Sequence, residues 1–184
     1  MYSEGIIIAI ASSIKHLEGI MTLQALNHAS SLTRQEKKSN GYVTLEHSLN
    51  QLTTMMASSS QIVAMKDGQV VGYALSLMQE NRNMFPILRT MFERIDSIAM
   101  SNKKMSYYVM GQVCIHERYR GQGIFKSLYD EHKKVFSSQY DVCITEVSVH
   151  NIPSMKAHKK VGFIPLLNFE DSQDKWSIIS WDWS

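Results

Sequence analysis

The sequence is short of the residues that build several whole classes of protein. Its two cysteines, Cys114 and Cys143, each sit inside an apolar run, and with no CxxC pair or Cys/His cluster a disulfide framework and a thiolate metal site are both excluded. A reducing, cytoplasmic compartment is the expected setting. Three prolines and nine glycines leave no Pro-rich or Gly/Ser-rich linker, and no repeat recurs at a solenoid period, so residues 1–184 are expected to form one domain. The apolar run near the start, Ile6 to Ala11, is far shorter than the roughly 20 residues of a spanning helix, so no membrane partner is expected. Charge of one sign is also scarce. Nineteen Lys and Arg face 17 Asp and Glu, a net +2, too little for a domain that grips nucleic acid by its phosphates.

What is present is an alternation of strand and helix patterns. Ile6–Ile10 is a β-branched run, followed by Ser12 and Ser13 as caps for a helix with the stripe Ile14, Leu17 and Met21. The polar segment Leu32–Asn40 reads as an exposed loop, after which Leu45, Leu49, Leu52 and Met56 recur at helical spacing. Gln61–Lys66 and Gln69–Met78 are strands joined by Asp67-Gly68, a tight hairpin turn. Met84, Leu88, Met91, Ile95 and Ile98 predict a helix with Pro86 in its first turn. Tyr107–Ile115 is a strand that passes through a glycine turn into a helix marked by Ile124, Leu128 and Val135. Val142–Val149 is the next strand, then a short helix closed by Gly162, then strands Phe163–Phe169 and Trp176–Trp183. Along that last strand the spacing puts Trp181 and Trp183 on one face and Trp176 on the other, one for the core and one for a second subunit, which suggests a homodimer. The whole predicts an α/β (α+β) sandwich around one mixed sheet.

Two motifs concentrate the chemistry. Arg118-Tyr119-Arg120-Gly121-Gln122-Gly123 lies between a strand end and a helix start, where unpaired N–H groups and the positive end of the helix dipole attract an anion and glycines let it approach. A plain strand-to-helix turn would also use glycine here. The second motif is Asn151, Ser154, His158, Gly162 and Phe163; a capped short helix explains it as well as a binding site does.

Both motifs, each after its own strand, make the chain resemble the GNAT superfamily of acetyl-coenzyme A-dependent N-acyltransferases. The resemblance implies the GNAT fold: a central, mixed, mostly antiparallel sheet of about seven strands, flanked by helices, with a splay between strands 4 and 5. It implies acetyl-coenzyme A as the cofactor. Arg118, Arg120, Gly121, Gln122, Gly123, Ile124, Phe125 and Lys126 would cradle its pyrophosphate, Val113, Cys114 and Ile115 would pair with its pantetheine arm as an added strand, and Asn151, Ser154 and His158 would line it. Backbone N–H groups of the fourth strand would also stabilise the developing oxyanion, an effect worth roughly 3 kcal/mol per donor in acyl transfer.

In that family a tyrosine commonly protonates the departing thiolate, and here His158 holds its position. A neutral imidazole donates a hydrogen bond but is a weak acid at pH 7, so His158 is expected either as the acid or as a packing and cofactor contact. The fourth strand has no carboxylate to serve as base; Glu80, Glu93 and Asp96 are the candidates acting through water. The implied function is transfer of acetyl to a primary amine of a small molecule or peptide by direct attack in a ternary complex, since neither cysteine has a histidine partner for a covalent route. A catalytically silent coenzyme A-binding sensor or scaffold is the alternative. Glu93, Asp96, Glu170 and Asp171 would favour a cationic acceptor.

Overall fold

A computed structural model describes residues 5–101 and 105–183. The strands, in chain order, are β1 (Ile6–Ile10), β2 (Ile62–Lys66), β3 (Gln69–Leu77), β4 (Tyr107–Ile115), β5 (Val142–Ser148), β6 (Ile164–Glu170) and β7 (Lys175–Asp182). The helices are α1 (Ile14–Asn27), α2 (Arg34–Asn40), α3 (Leu49–Ser58), α4 (Arg89–Ser101), α5 (Ile124–Phe136) and α6 (Ile152–Val161). Across the sheet the order is β1-β2-β3-β4-β5-β7-β6. Every neighbouring pair is antiparallel except β4 and β5.

Alternation along the strands gives the sheet two apolar faces. Tyr73, Leu75, Val109 and Ile144 face a layer of α1, α3 and α4 that contributes Leu17, Ile20, Leu52 and Ile95. Ala74, Tyr108, Cys143 and Ile179 face the other way, toward Ile124, Leu128 and Tyr129 of α5 and the Phe163 that follows α6. Burying one such aliphatic or aromatic side chain contributes about 1.5–3 kcal/mol, so both helical layers are held by the same sheet. Trp181 and Trp183 fall on the α5 face, and Trp176 on the opposite one, as their spacing requires. β7 lies between β5 and β6, and its Ile178 and Ile179 are buried on opposite faces of the sheet.

Three sequence readings are corrected. Residues 34–40, expected as an exposed loop, form α2, because the Thr33 hydroxyl accepts from Glu36 N–H while the Glu36 carboxylate accepts from Thr33 N–H, a reciprocal capping box. Leu45 lies outside α3, whose cap is Ser48. The helix expected from Met84 starts at Arg89; Met84 and Leu88 sit in two 3₁₀ turns separated by Phe85 at φ −128°, ψ 79°. Pro86 has no N–H to extend a helix backward and restricts the residue before it, which splits the segment there.

The feature that matters for function is where β4 leaves β5. Their parallel ladder runs only through Tyr107, Tyr108 and Val109 against Val142, Cys143 and Ile144. A bulge at Gly111 then shifts the β3–β4 register, and the Thr145 hydroxyl donates to Met110 O at 2.8 Å where the next rung would be. Beyond it β4 pairs with β3 alone and β5 with β7 alone. A bulge bends its strand, and this one opens the sheet into a cleft.

Candidate functional site

A groove of about 630 Å³ opens along the freed edge of β4 at Val113, Cys114 and Ile115, the first turn of α5, and α6. At its floor the backbone turns through Gly121 (φ +74°) and Gly123 (φ +81°), a conformation costly for other residues. No atom lies within 4 Å of where a Cβ would stand at either glycine, so the turn is open to a ligand. The Ser127 N–H makes the first intrahelical bond, to Gly123 O, leaving the N–H groups of the preceding turn available to an anion. Arg120 donates from Nε to Ile115 O (2.9 Å) and from Nη2 to Asn27 Oδ1, while its buried Nη1 has no protein partner. Lys126, Lys156 and Lys160 complete a cationic lining.

The far wall is a strap from Gly41 to His47 that follows α2. Asn151 caps α6 by accepting from Ser154 N–H, and its Nδ2 donates to Tyr42 O at 2.9 Å. Gly41 (φ +72°) passes so close that a Cβ would stand 2.9 Å from Asn151 Oδ1, which is why glycine is required. Further along, Gln112 of β4 donates to Leu45 O (2.8 Å) and accepts from Tyr73 Oη (2.6 Å) and Gln24 Nε2 (3.0 Å). Gln24 Nε2 also donates to His47 Nδ1, and Gln24 Oε1 accepts from His47 N–H. Every bond in this buried set has a donor and an acceptor, so the strap is fixed to the sheet.

His158 is buried, and both ring nitrogens are engaged. Nδ1 lies 2.8 Å from Ser154 O, which only accepts, so Nδ1 holds the proton and Nε2 accepts from Tyr129 Oη at 2.6 Å. Burial pulls its pKa down to about 4, against the backbone bond that raises it. Phe125 and Phe163 meet the ring edge to face at 5.0 and 5.1 Å.

Beyond the strap lies a second, smaller pocket of about 110 Å³, and Tyr42, Val43, Val113, Asn151 and Ser154 line both cavities. On its wall stands Glu146 of β5, whose Oε2 is buried without a hydrogen-bond partner. Burial first, and the nearby Asp171 second, push its carboxyl up to about 8. The Tyr42 hydroxyl donates to Ser148 Oγ (3.3 Å), which donates to Asp174 Oδ2 (2.6 Å).

The structure brings Val113, Cys114, Ile115, Arg120, Gly121, Gly123, Ile124, Phe125, Lys126, Asn151 and Ser154 together on the larger groove, and His158 on the smaller pocket. Arg118 and Gln122 do not line the groove; Gln122 Nε2 is bonded to Arg118 O. Glu80, Glu93 and Asp96 are absent from the pocket lining, and Asp96 is paired with Arg82 and Tyr107. Asp171 is the one member of the expected acidic set in the pocket. Sequence reasoning missed Glu146, although a single carboxylate inside the apolar run VCITEVSV, two residues from core-facing Ile144, was the signal. Among the described residues no cluster of His, Cys, Asp or Glu could hold a metal, and no helix is long and apolar enough to cross a membrane.

A sheet splayed between parallel strands, with an open glycine turn and a cationic lining at the mouth, defines a protein whose groove suits an extended anionic ligand against a strand edge. The chain belongs to the acetyltransferase (GNAT) family, whose model matches residues 27–163. No curated protein sequence matches it. Among solved structures it is similar to a chain of the NatC complex bound to Gag peptide and CoA (TM-score 0.67, 13% identity, 97% of this chain and 98% of that one). It is also similar to the acetyltransferase of GNAT family from Streptococcus pneumoniae (0.65, 12%, 96% and 98%). A third is Arabidopsis thaliana Naa50 in complex with the bisubstrate analogue CoA-Ac-MVNAL (0.63, 12%, 97% and 99%). The seven-stranded sheet with its parallel β4–β5 pair is the fold these chains share.

Proposed function

We propose that the protein is an N-acetyltransferase that uses acetyl-coenzyme A and passes the acetyl group to a primary amine by direct attack in a ternary complex. The observation that supports it most is Glu146, a half-buried carboxylate whose Oε2 is buried and unpartnered, in a pocket that meets the cofactor groove at Val113 and Ser154. A silent coenzyme A-binding module has no use for such a carboxylate, whose isolation from water is unfavourable to folding.

The groove suits the cofactor: an open glycine turn and the free Arg120 Nη1 for the pyrophosphate, and the unpaired β4 edge from Val113 to Ile115 for the pantetheine amides. When bound, acetyl-coenzyme A supplies an activated acyl group as a thioester. Backbone N–H groups of the same strand edge are the available donors for negative charge developing on the acyl oxygen. Glu146 takes the proton released by the acceptor nitrogen, directly or through one water. Protonation of the leaving sulfur is assigned to the Tyr42 hydroxyl, which lines both cavities and turns its proton from the long bond to Ser148 Oγ (3.3 Å) to the sulfur. His158 is assigned a packing role, because its one proton is held by Ser154 O and its other nitrogen by Tyr129. Cys114 and Cys143 are poor nucleophiles, their thiols pushed up to about 11 and about 12 by burial.

The test is calorimetric binding of acetyl-coenzyme A followed by thiol release with a library of primary amines. Binding with amine-dependent thiol release supports the reading. Binding with no release from any amine favours the silent module, and no binding removes both.

A further inference from the structure

The pocket beside Glu146 is small and chemically divided. Ile87, Leu88 and Met91, from the segment entering α4, and Leu45 of the strap give it an aliphatic lining. Two carboxylates line it as well, Glu146 on β5 and Asp171 in the β6–β7 turn. Asp171 is fixed there, because its Oδ1 accepts from Gln173 N–H, Asp174 N–H and Trp176 Nε1. Among the described residues no lysine or arginine lines the pocket, and burial holds His158 neutral.

Each acceptor class meets this arrangement differently. An ammonium group is drawn to the carboxylates. A free amino acid brings a carboxylate next to its amine, which would lie against Glu146 and Asp171 with no cation to pair it. A polyamine or an amino sugar needs polar partners along its length, and the aliphatic lining offers none. An amide in place of the carboxylate is neutral, and Gln173 at the pocket lining can bond it.

We propose that the acceptor is a primary amine carried on a short apolar group with no carboxylate beside the amine, a chemistry shared by peptide N-termini with an apolar first residue and by aliphatic amines. The proposal rests on the acetyltransferase reading. Asp171, joined by Glu146 once it is ionised, selects for the ammonium group and against the carboxylate; Ile87, Leu88 and Met91 select the apolar group.

The experiment measures thiol release from acetyl-coenzyme A with leucinamide, leucyl-alanyl-alaninamide, 3-methylbutylamine, leucine, spermidine and glucosamine. Leucinamide is expected to exceed leucine, spermidine and glucosamine in kcat/KM by at least about tenfold, the discrimination one apolar or unpaired polar contact gives. A further gain with leucyl-alanyl-alaninamide identifies a peptide N-terminus as the source, and a gain with 3-methylbutylamine a free amine. Two exposed positions test the walls without threatening the core: Asp171→Asn narrows the leucinamide-to-leucine ratio, and Ile87→Arg narrows it further by lending the carboxylate a partner. Leucine, spermidine or glucosamine matching leucinamide overturns the proposal and leaves the acetyltransferase reading intact, as does a ratio unmoved in both variants. No thiol release from any of the six, nor from a wider amine library, with acetyl-coenzyme A bound overturns the reading and the proposal together.

Discussion

Tyr129 Oη lies 2.6 Å from His158 Nε2, and both residues are buried beneath the α5–α6 layer. With Ser154 O at Nδ1, this pairing leaves both ring nitrogens of His158 engaged within the protein.

That burial predicts an acid-sensitive fold. His158, His132 and His47 are each held near pKa 4 by burial, below the ordinary histidine value of 6.5. An unfolded chain binds a proton at each below about pH 6.5 while the folded chain refuses it until about pH 4, so stability is full above 6.5 and falls as pH drops between the two values. The loss is on the order of 1.4 kcal/mol per pH unit for each histidine. Glu146, its carboxyl pushed up to about 8, binds its proton in the folded state first and offsets one of the three. Urea denaturation from pH 7.5 to 4.5 reads the net slope, and His158→Gln is expected to flatten it by about a half; an unchanged slope would show that His158 is not buried neutral.

As the proposed base, Glu146 is expected to set the pH dependence of the reaction. Its neighbours facing the pocket are Asp171, Tyr42 and the neutral His158, and of these Asp171 is the one that lifts its carboxyl, after burial itself. As a base it acts only when ionised, so kcat/KM rises with pH up to about 8. Glu146→Gln is expected to lower kcat about a hundredfold or more and to remove that limb, with acetyl-coenzyme A binding retained. Asp171→Asn moves the limb to lower pH, and a pH profile of each variant reads both.

The glycine cradle is separable from folding. Gly121→Glu meets no atom near its Cβ, so the chain folds, although at φ +74° the substitution strains the turn by about 1–2 kcal/mol. The new carboxylate sits where the pyrophosphate would, and binding is expected to weaken by about a hundredfold or more. Calorimetry gives the affinity and circular dichroism the fold.

Gln112 joins the sheet to the strap. Replacing it with leucine removes partners from Tyr73 Oη, Gln24 Nε2 and Leu45 O at once, and each buried group left unpaired costs about 1–3 kcal/mol. Gln112→Leu is therefore expected to lower the melting temperature by at least 5 to 10 °C, roughly, and to raise KM for the amine because Leu45 lines its pocket. A variant as stable as the parent would show the network to be dispensable.

The two motifs were legible because each is local. A glycine turn between strand and helix and a capped short helix are written in consecutive residues, so RYRGQG and the segment from Asn151 to Phe163 could be placed before any fold was known. The α2 helix reads as a loop in the sequence, because its polar run masks the cap that Thr33 and Glu36 form. The pocket was not legible. Glu146 is one carboxylate in an apolar strand; its meaning arises because β5 parts from β4 after Ile144, so that a residue which would have met a neighbouring strand faces a cavity instead. Leu45, Asp171 and the segment carrying Ile87 and Met91 come from three distant parts of the chain, and no periodicity links the three. Period and turn chemistry are properties of neighbours along the chain, and they fixed the elements and the cofactor motif. Burial, the unpaired Oε2 and the neutral His158 depend on what packs against each group from elsewhere, and only the tertiary structure decided them.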